Sequence, residues 1–197
     1  MLLSNNLPMT SSKRIFDIAL ALPISVILIG PMILIGIVIK LNSNGPVLYW
    51  SDRIGYENAI FSMPKFRSMQ VETPALATHL LGDPDQYLTS IGKLLRRTSL
   101  DELPQIWSIL KGDMSIVGPR PALFNQEDLI QLRLERGIHH LVPGLTGWAQ
   151  INGRDELSIA KKVYLDEEYL KRSSLSFDIK IIWLTVLGVL FQKGISH

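Results

Sequence analysis

The residues best equipped for chemistry are Asp101 and Glu102, two adjacent carboxylates set just after two adjacent guanidiniums, Arg96 and Arg97. Pro104 follows almost at once and restricts the backbone. Acids crowded beside bases at such a point suit either of two roles. One is a helix start. Asp101 has the residue type of an N-cap, and Pro104 would then lie in the first turn, whose N–H groups are free anyway. The alternative capping box of Ser99 and Glu102 would put Pro104 where an N–H should already be bonded. The second role is chemistry at an anionic group, because free N–H groups and the helix dipole both favour phosphate. The two roles are compatible.

Other cations stand where they could serve such a site. Lys65 and Arg67 flank Phe66, an arrangement suited to a phosphate-facing edge and equally to a solvated strand end. Arg120 is held between Pro119 and Pro121, so its backbone is stiff and its guanidinium pre-positioned. Residues 142–154 form a glycine-rich stretch ending in Arg154, with neither the lysine spacing of a Walker loop nor a three-glycine dinucleotide fingerprint. The chain has no cysteine, which excludes disulfides, thiol nucleophiles and Cys-ligated metals. Its four histidines show no metal-ligand spacing and read as surface or loop residues. A net charge of +2 is too balanced to imply nucleic acid.

Several elements must position these groups. A chain of 197 residues makes one domain, or one domain with an appendage. Residues 1–12 read as a frayed tail. Ile18 to Ile39 runs for 22 residues without a charge. As a straight helix it would be ~33 Å long, about the thickness of a bilayer core. Pro23 and Gly30-Pro31 interrupt it, and cations flank both ends: Lys13 and Arg14 before, Lys40 and Arg53 after. Both ends therefore prefer the cytoplasm. A kinked span and a re-entrant helix-break-helix are both open on this evidence. Residues 47–50 and 60–63 predict a β-hairpin around a loop at 53–58. Residues 72–86 read as a loop, and 91–95 as a short helix leading to Arg96. Further helices are expected at 105–110, at 125–136 with Asn125 as cap and Gly137 as stop, at 156–172, and at 178–193 as an interfacial or core helix.

Taken together, these blocks resemble the bacterial sugar transferase family, the small monotopic phosphoglycosyl transferases. The resemblance rests on Lys13-Arg14-Ile15-Phe16-Asp17, Lys65-Phe66-Arg67-Ser68-Met69, Arg96 through Gln105, Lys111-Gly112-Asp113-Met114-Ser115, Gly118-Pro119-Arg120-Pro121 and Pro143 through Arg154. It implies a helix-rich α+β fold with an N-terminal re-entrant membrane helix-break-helix, a small β-hairpin and interfacial amphipathic helices. Residues 1–41 would be the tail and membrane helix, and 42–197 a catalytic domain on the cytoplasmic face of the bacterial inner membrane. The implied activity transfers a sugar-1-phosphate from a UDP-sugar to a polyprenol phosphate, normally undecaprenyl phosphate, releasing UMP and requiring Mg2+. Asp101 would be nucleophile and metal ligand, and Glu102 its partner as metal or proton ligand. Arg96 and Arg154 would grip phosphate, and Pro119-Arg120-Pro121 would contact the nucleotide. Membrane lipid and downstream glycosyltransferases are the implied partners, with no nucleic acid. Two positions depart from the family pattern: Gly30-Pro31 stands where many relatives have Ser-Pro, and Ser51 where a glutamine is common.

A different class of function is a catalytically inactive, membrane-anchored scaffold in which Asp101 only caps a helix. A two-carboxylate hydrolase fits poorly, because adjacent helical residues point about 100° apart and cannot flank one bond from opposite sides.

Overall fold

The structure is a computed structural model that describes residues 10–73, 84–153 and 156–190. The tail before residue 10, most of the 72–86 loop and Arg154 lie outside the described residues.

Helix α1 spans Ser11–Asn42, with Thr10 accepting from the Lys13 N–H as its cap. Pro23 and Pro31 lie inside it without ending it. The break expected at Gly30-Pro31 thus does not interrupt the helix. Each proline removes one N–H and crowds one preceding carbonyl, but in an apolar segment every remaining backbone group gains most from staying bonded within the helix.

The residues of α1 that are not exposed are 13, 14, 16, 17, 20, 21, 25, 28, 32, 35, 36 and 39, which fall on one side of the helix. That stripe packs on the rest of the chain along the whole helix. Ala21 joins Met63, Ile106, Ile109 and Met114 in one core cluster, with Leu28 against it. Ile39 joins Phe66 and Leu95 in another, packed by Met32, Ile35, Leu100 and Leu103. The opposite face, including Ile27, Ile33 and Leu34, is exposed and apolar. Polar contacts fasten both ends. Lys13 Nζ donates to Asp178 at 2.6 Å, and the buried Asp17 accepts from the Ile116 N–H. Arg14 donates to the carbonyls of Ile109 and Leu110. At the other end Lys40 donates to the Gly45 carbonyl.

Strands β1 (Leu48–Ile54) and β2 (Ile60–Phe66) form the expected hairpin, longer than the apolar runs suggested, with Leu48 opposite Phe66 and Ile54 opposite Ile60. Pro64 is tolerated in β2 because a two-stranded sheet leaves one edge of each strand unpaired. Helix α2 (Ser90–Arg97) is capped by Thr89. A 3-10 helix, Leu100–Gln105, leads into α3 (Ile106–Lys111), which stops at Gly112 with φ 103°. Strand β3 (Ser115–Val117) pairs in parallel with β4 (Gly144–Thr146).

Helix α4 (Glu127–Glu135) begins after Gln126, not at Asn125; the Gln126 side chain instead accepts from the Leu123 N–H. The glycine-rich stretch is ordered as β4 and α5 (Trp148–Ile151). Helix α6 (Ile159–Arg172) is capped by Ser158. Helix α7 (Leu175–Leu190) begins three residues before the expected start, and the expected residues 191–193 lie outside the described ones. Phe177 and Ile181 pack into a core cluster with Val117 and Tyr169, whereas Ile179, Trp183 and Val186 are exposed.

Candidate active site

Asp101 and Glu102 lie in the first turn of the 3-10 helix that precedes α3. The chain enters this turn through Ser99, whose backbone is left-handed at φ 55°. No side chain caps it, so the cap expected of Asp101 is not its role. The tight winding follows from Pro104, which cannot donate and favours the short turn over an α-helical start. Strand β2 packs along the turn, and Leu100 and Leu103 anchor it in the cluster that also takes Met32 and Ile35 of α1.

The two carboxylates have opposite electrostatics. Glu102 Oε1 accepts from Lys65 Nζ at 2.8 Å and from Arg120 at 2.9 Å. Burial pushes the Glu102 carboxyl up, but Arg120 and Lys65 outweigh it and hold the group well below the usual glutamate range. Asp101 is 8% exposed. Among the described residues, no cation lies within ion-pair distance of its carboxylate. Burial raises its pKa, the charge of Glu102 adds to that, and Lys65 and Arg96 work against it from further off. Burial also lowers the pKa of Lys65, with Glu102 opposing. One acid is thus committed to cations, while its neighbour is sheltered and makes no ion pair to a described residue.

Three of the expected cations converge here. Lys65 and Arg120 meet on Glu102, and Arg96 acts on Asp101 electrostatically while donating to Ser68 Oγ at 3.2 Å. Arg67 does not join them. It is buried, and its guanidinium donates to the Ser43 and Asn44 carbonyls and to Ser43 Oγ, closing the turn that leaves α1. Five donors in a fixed fork suit a cluster of carbonyls as well as they suit a phosphate.

Pro119, Arg120 and Pro121 follow β3 directly and are held by their carbonyls. Pro119 accepts from the Gly144 N–H, Arg120 from Arg133, and Pro121 from Arg53. Arg133 is fixed in turn by the buried Asp166 at 2.6 Å. Gly118, Gly144 and Gly147 let the two backbones meet, since a Cβ at any of them would collide with the facing main chain. Arg133 and Asp166 were not singled out in the sequence, and Arg14 and Arg53 only as cations flanking the apolar run and, for Arg14, within a block of the resemblance. Their hydrogen-bond partners named here lie 13 to 96 residues away, apart from the local Ser51. Ser51 is buried and accepts from Arg53, so the residue at that divergent position helps hold the arginine.

The order of these pieces along the chain matches a known pattern: residues 9–192 fit the profile of the bacterial sugar transferases. The chain belongs to the bacterial sugar transferase family. Among its relatives is the "UDP-glucose:undecaprenyl-phosphate glucose-1-phosphate transferase" of Escherichia coli, 44% identical over 190 residues, covering 92% of this chain and 41% of the relative. The "undecaprenyl-phosphate galactose phosphotransferase" of Salmonella typhimurium is 35% identical over 212 residues, covering 98% and 44%. The "uncharacterized sugar transferase EpsL" of Bacillus subtilis is 40% identical over 190 residues, covering 94% and 90%. The chain therefore spans less than half of the two enteric sugar transferases and nearly all of the Bacillus one.

Proposed function

We propose that the protein transfers a sugar-1-phosphate from a UDP-sugar to undecaprenyl phosphate by way of Asp101. The observation that carries this reading is the difference between the two acids: Glu102 is engaged by Lys65 and Arg120, and Asp101 is buried beside it with no ion pair to a described residue. In the first half-reaction an Asp101 oxygen attacks the β-phosphorus of the donor. The bond from that phosphorus to the bridging oxygen breaks, and UMP leaves with the electron pair. In the second, an oxygen of the lipid phosphate attacks the same phosphorus, and the Asp101 carboxylate is regenerated. Lys65, Arg96 and Arg120 oppose the charge of the two phosphate substrates, and Arg154 joins them in this reading.

The donor set suits Mg2+, which takes hard oxygens from one or two carboxylates together with substrate phosphates; Asp101 would hold it. Such an ion neutralises charge on the diphosphate and offsets the burial that raises the Asp101 pKa.

The lipid phosphate lies at the headgroup level, so the site must rest against one leaflet. Attachment of both ends of α1 to the same body supports a helix embedded from one side, its exposed apolar face in lipid, with that body cytoplasmic. The bend expected of a re-entrant segment would then come from Pro23 and Pro31 within a continuous helix. The product would feed the downstream glycosyltransferases of a surface-glycan pathway.

The test incubates purified protein with Mg2+, undecaprenyl phosphate and a panel of UDP-sugars and measures UMP. Release with one donor, together with a phosphosugar adduct trapped on Asp101 when acceptor is withheld, is the expected result. No UMP with any donor would leave the scaffold reading standing.

A further inference from the structure

We propose that Glu57, His139 and His140 bind one divalent transition-metal ion of the zinc class, clipping the tip of the β-hairpin to the turn that leads into β4. None of the three belongs to the sequence blocks that carry the family resemblance, and none touches the dyad. Glu57 lies in the short 3-10 turn Tyr56–Asn58, between β1 and β2. Both histidines lie in a second such turn, Ile138–His140. The fold brings together residues more than 80 positions apart: His140 Nδ1 is 2.7 Å from Glu57 Oε1, and His139 Nε2 is 3.9 Å from Glu57 Oε2. One ligand atom from each residue can be chosen so that all three lie within 4.8 Å of one another.

The ligand positions are set by the backbone. Gly55 and Ala59 bond across the hairpin tip at 2.8 Å, and Leu141 donates to Ile138 at 2.9 Å to close the histidine turn. Two imidazole nitrogens and one carboxylate oxygen are borderline donors. They suit Zn2+ at about 2.0–2.2 Å and are a poor match for the all-oxygen preference of Mg2+. Binding would require the His139 side of the cluster, 3.9 Å from Glu57, to close further. Three protein ligands leave a fourth position open on the solvent side, where the Glu57 and His140 side chains are 46% and 45% exposed.

His139 is the anchored member. Its side chain is only 15% exposed, and its Nδ1 is buried without a hydrogen-bond partner among the described residues. Metal binding at Nε2 places the ring proton on that Nδ1. His139 also lines a cavity of about 20 Å³ shared with Pro119, Ala122 and Arg133. The cavity has room for one water to accept that proton. Glu57 Oε1 and His140 Nδ1 stand at hydrogen-bond distance, 2.7 Å, across the place the ion would take.

The experiment uses the full chain without a polyhistidine tag, stripped with chelator, and titrates it with zinc against a competing indicator. One zinc per chain is expected. E57Q, H139A and H140A should each weaken binding at least tenfold, and a free zinc concentration 100-fold above the parent Kd should raise Tm by about 5 °C or more in the unsubstituted protein and by about half of that or less in each variant. Glu57 and His140 are exposed, so E57Q and H140A report even if H139A fails to fold. Unchanged affinity in the H139A/H140A double variant, or no stoichiometric binding by the unsubstituted chain, would overturn the proposal.

Discussion

Asp101→Asn and Glu102→Gln are nearly isosteric changes at adjacent positions, and the structure predicts opposite effects on stability. Glu102 holds Lys65, 15% exposed, and Arg120, 38% exposed. Removing one member of a buried ion pair costs about 3–5 kcal/mol, chiefly through the charge left behind. Arg120 reaches solvent and contributes little to that cost, so we take the lower end, ~3 kcal/mol, for E102Q. For a chain of this size that lowers Tm by roughly 6–12 °C. Because the folded-state pKa of Glu102 is depressed, its stabilisation is present above the ordinary glutamate range and lost as pH falls through the lowered value. The melting difference between E102Q and the parent should therefore shrink on strong acidification.

Asp101 has the reverse sign. Its folded-state pKa is raised, mainly by burial, so the ionised form weakens the fold at neutral pH and the penalty disappears as the group protonates. D101N removes that charge without changing the shape. It should melt at or above the parent temperature while losing at least ~10⁴-fold in turnover, about 5.4 kcal/mol of barrier. The assay is a thermal melt in detergent at pH 7 alongside UMP release. D101N melting as low as E102Q would refute the electrostatic reasoning, and substantial retained turnover would sink the nucleophile assignment.

Lys65→Met removes a charge that holds the Asp101 pKa down, so the acid limb of the kcat/KM profile should move to higher pH; an unmoved limb would disconnect Lys65 from Asp101. Arg14→Met deletes two charge-assisted hydrogen bonds to the last carbonyls of α3 and should cost about 3 kcal/mol in a denaturant melt, with Lys at that position recovering only part. Single cysteines at Ser11 and Asn44, at the two ends of α1, should both resist impermeant thiol reagents applied outside the cell. Labelling of either one would reveal a true span.

Much of this fold is legible in local sequence because local physics makes it. The hairpin, the helix through Arg96, the stop at Gly112 and the long apolar helix follow from alternation, capping residues and run length. What was misread depended on tertiary partners. Arg67 shares its side of the strand with Lys65, and only the path of the chain out of α1 sends its guanidinium to Ser43 and Asn44 rather than to Glu102. Pro104 signalled a special backbone, yet the left-handed Ser99 that turns the dyad inward has no local signature. The adjacency of Asp101 and Glu102 was visible, but not their separate roles. Those come from Lys65 and Arg120, 37 and 18 positions from Glu102 along the chain.

The stripe of α1 that lines two core clusters has a consequence for how the protein comes into being. Ala21 and Ile39 complete interiors whose other walls are Met63, Ile109 and Met114 on one side and Phe66 and Leu95 on the other. A body released without this helix would face water with those walls open. Docking of α1 and closure of these two interiors are then a single packing event. On the function proposed above, a chain that misses the membrane would lack this closed interior, and the transfer would be confined to the surface that holds the acceptor.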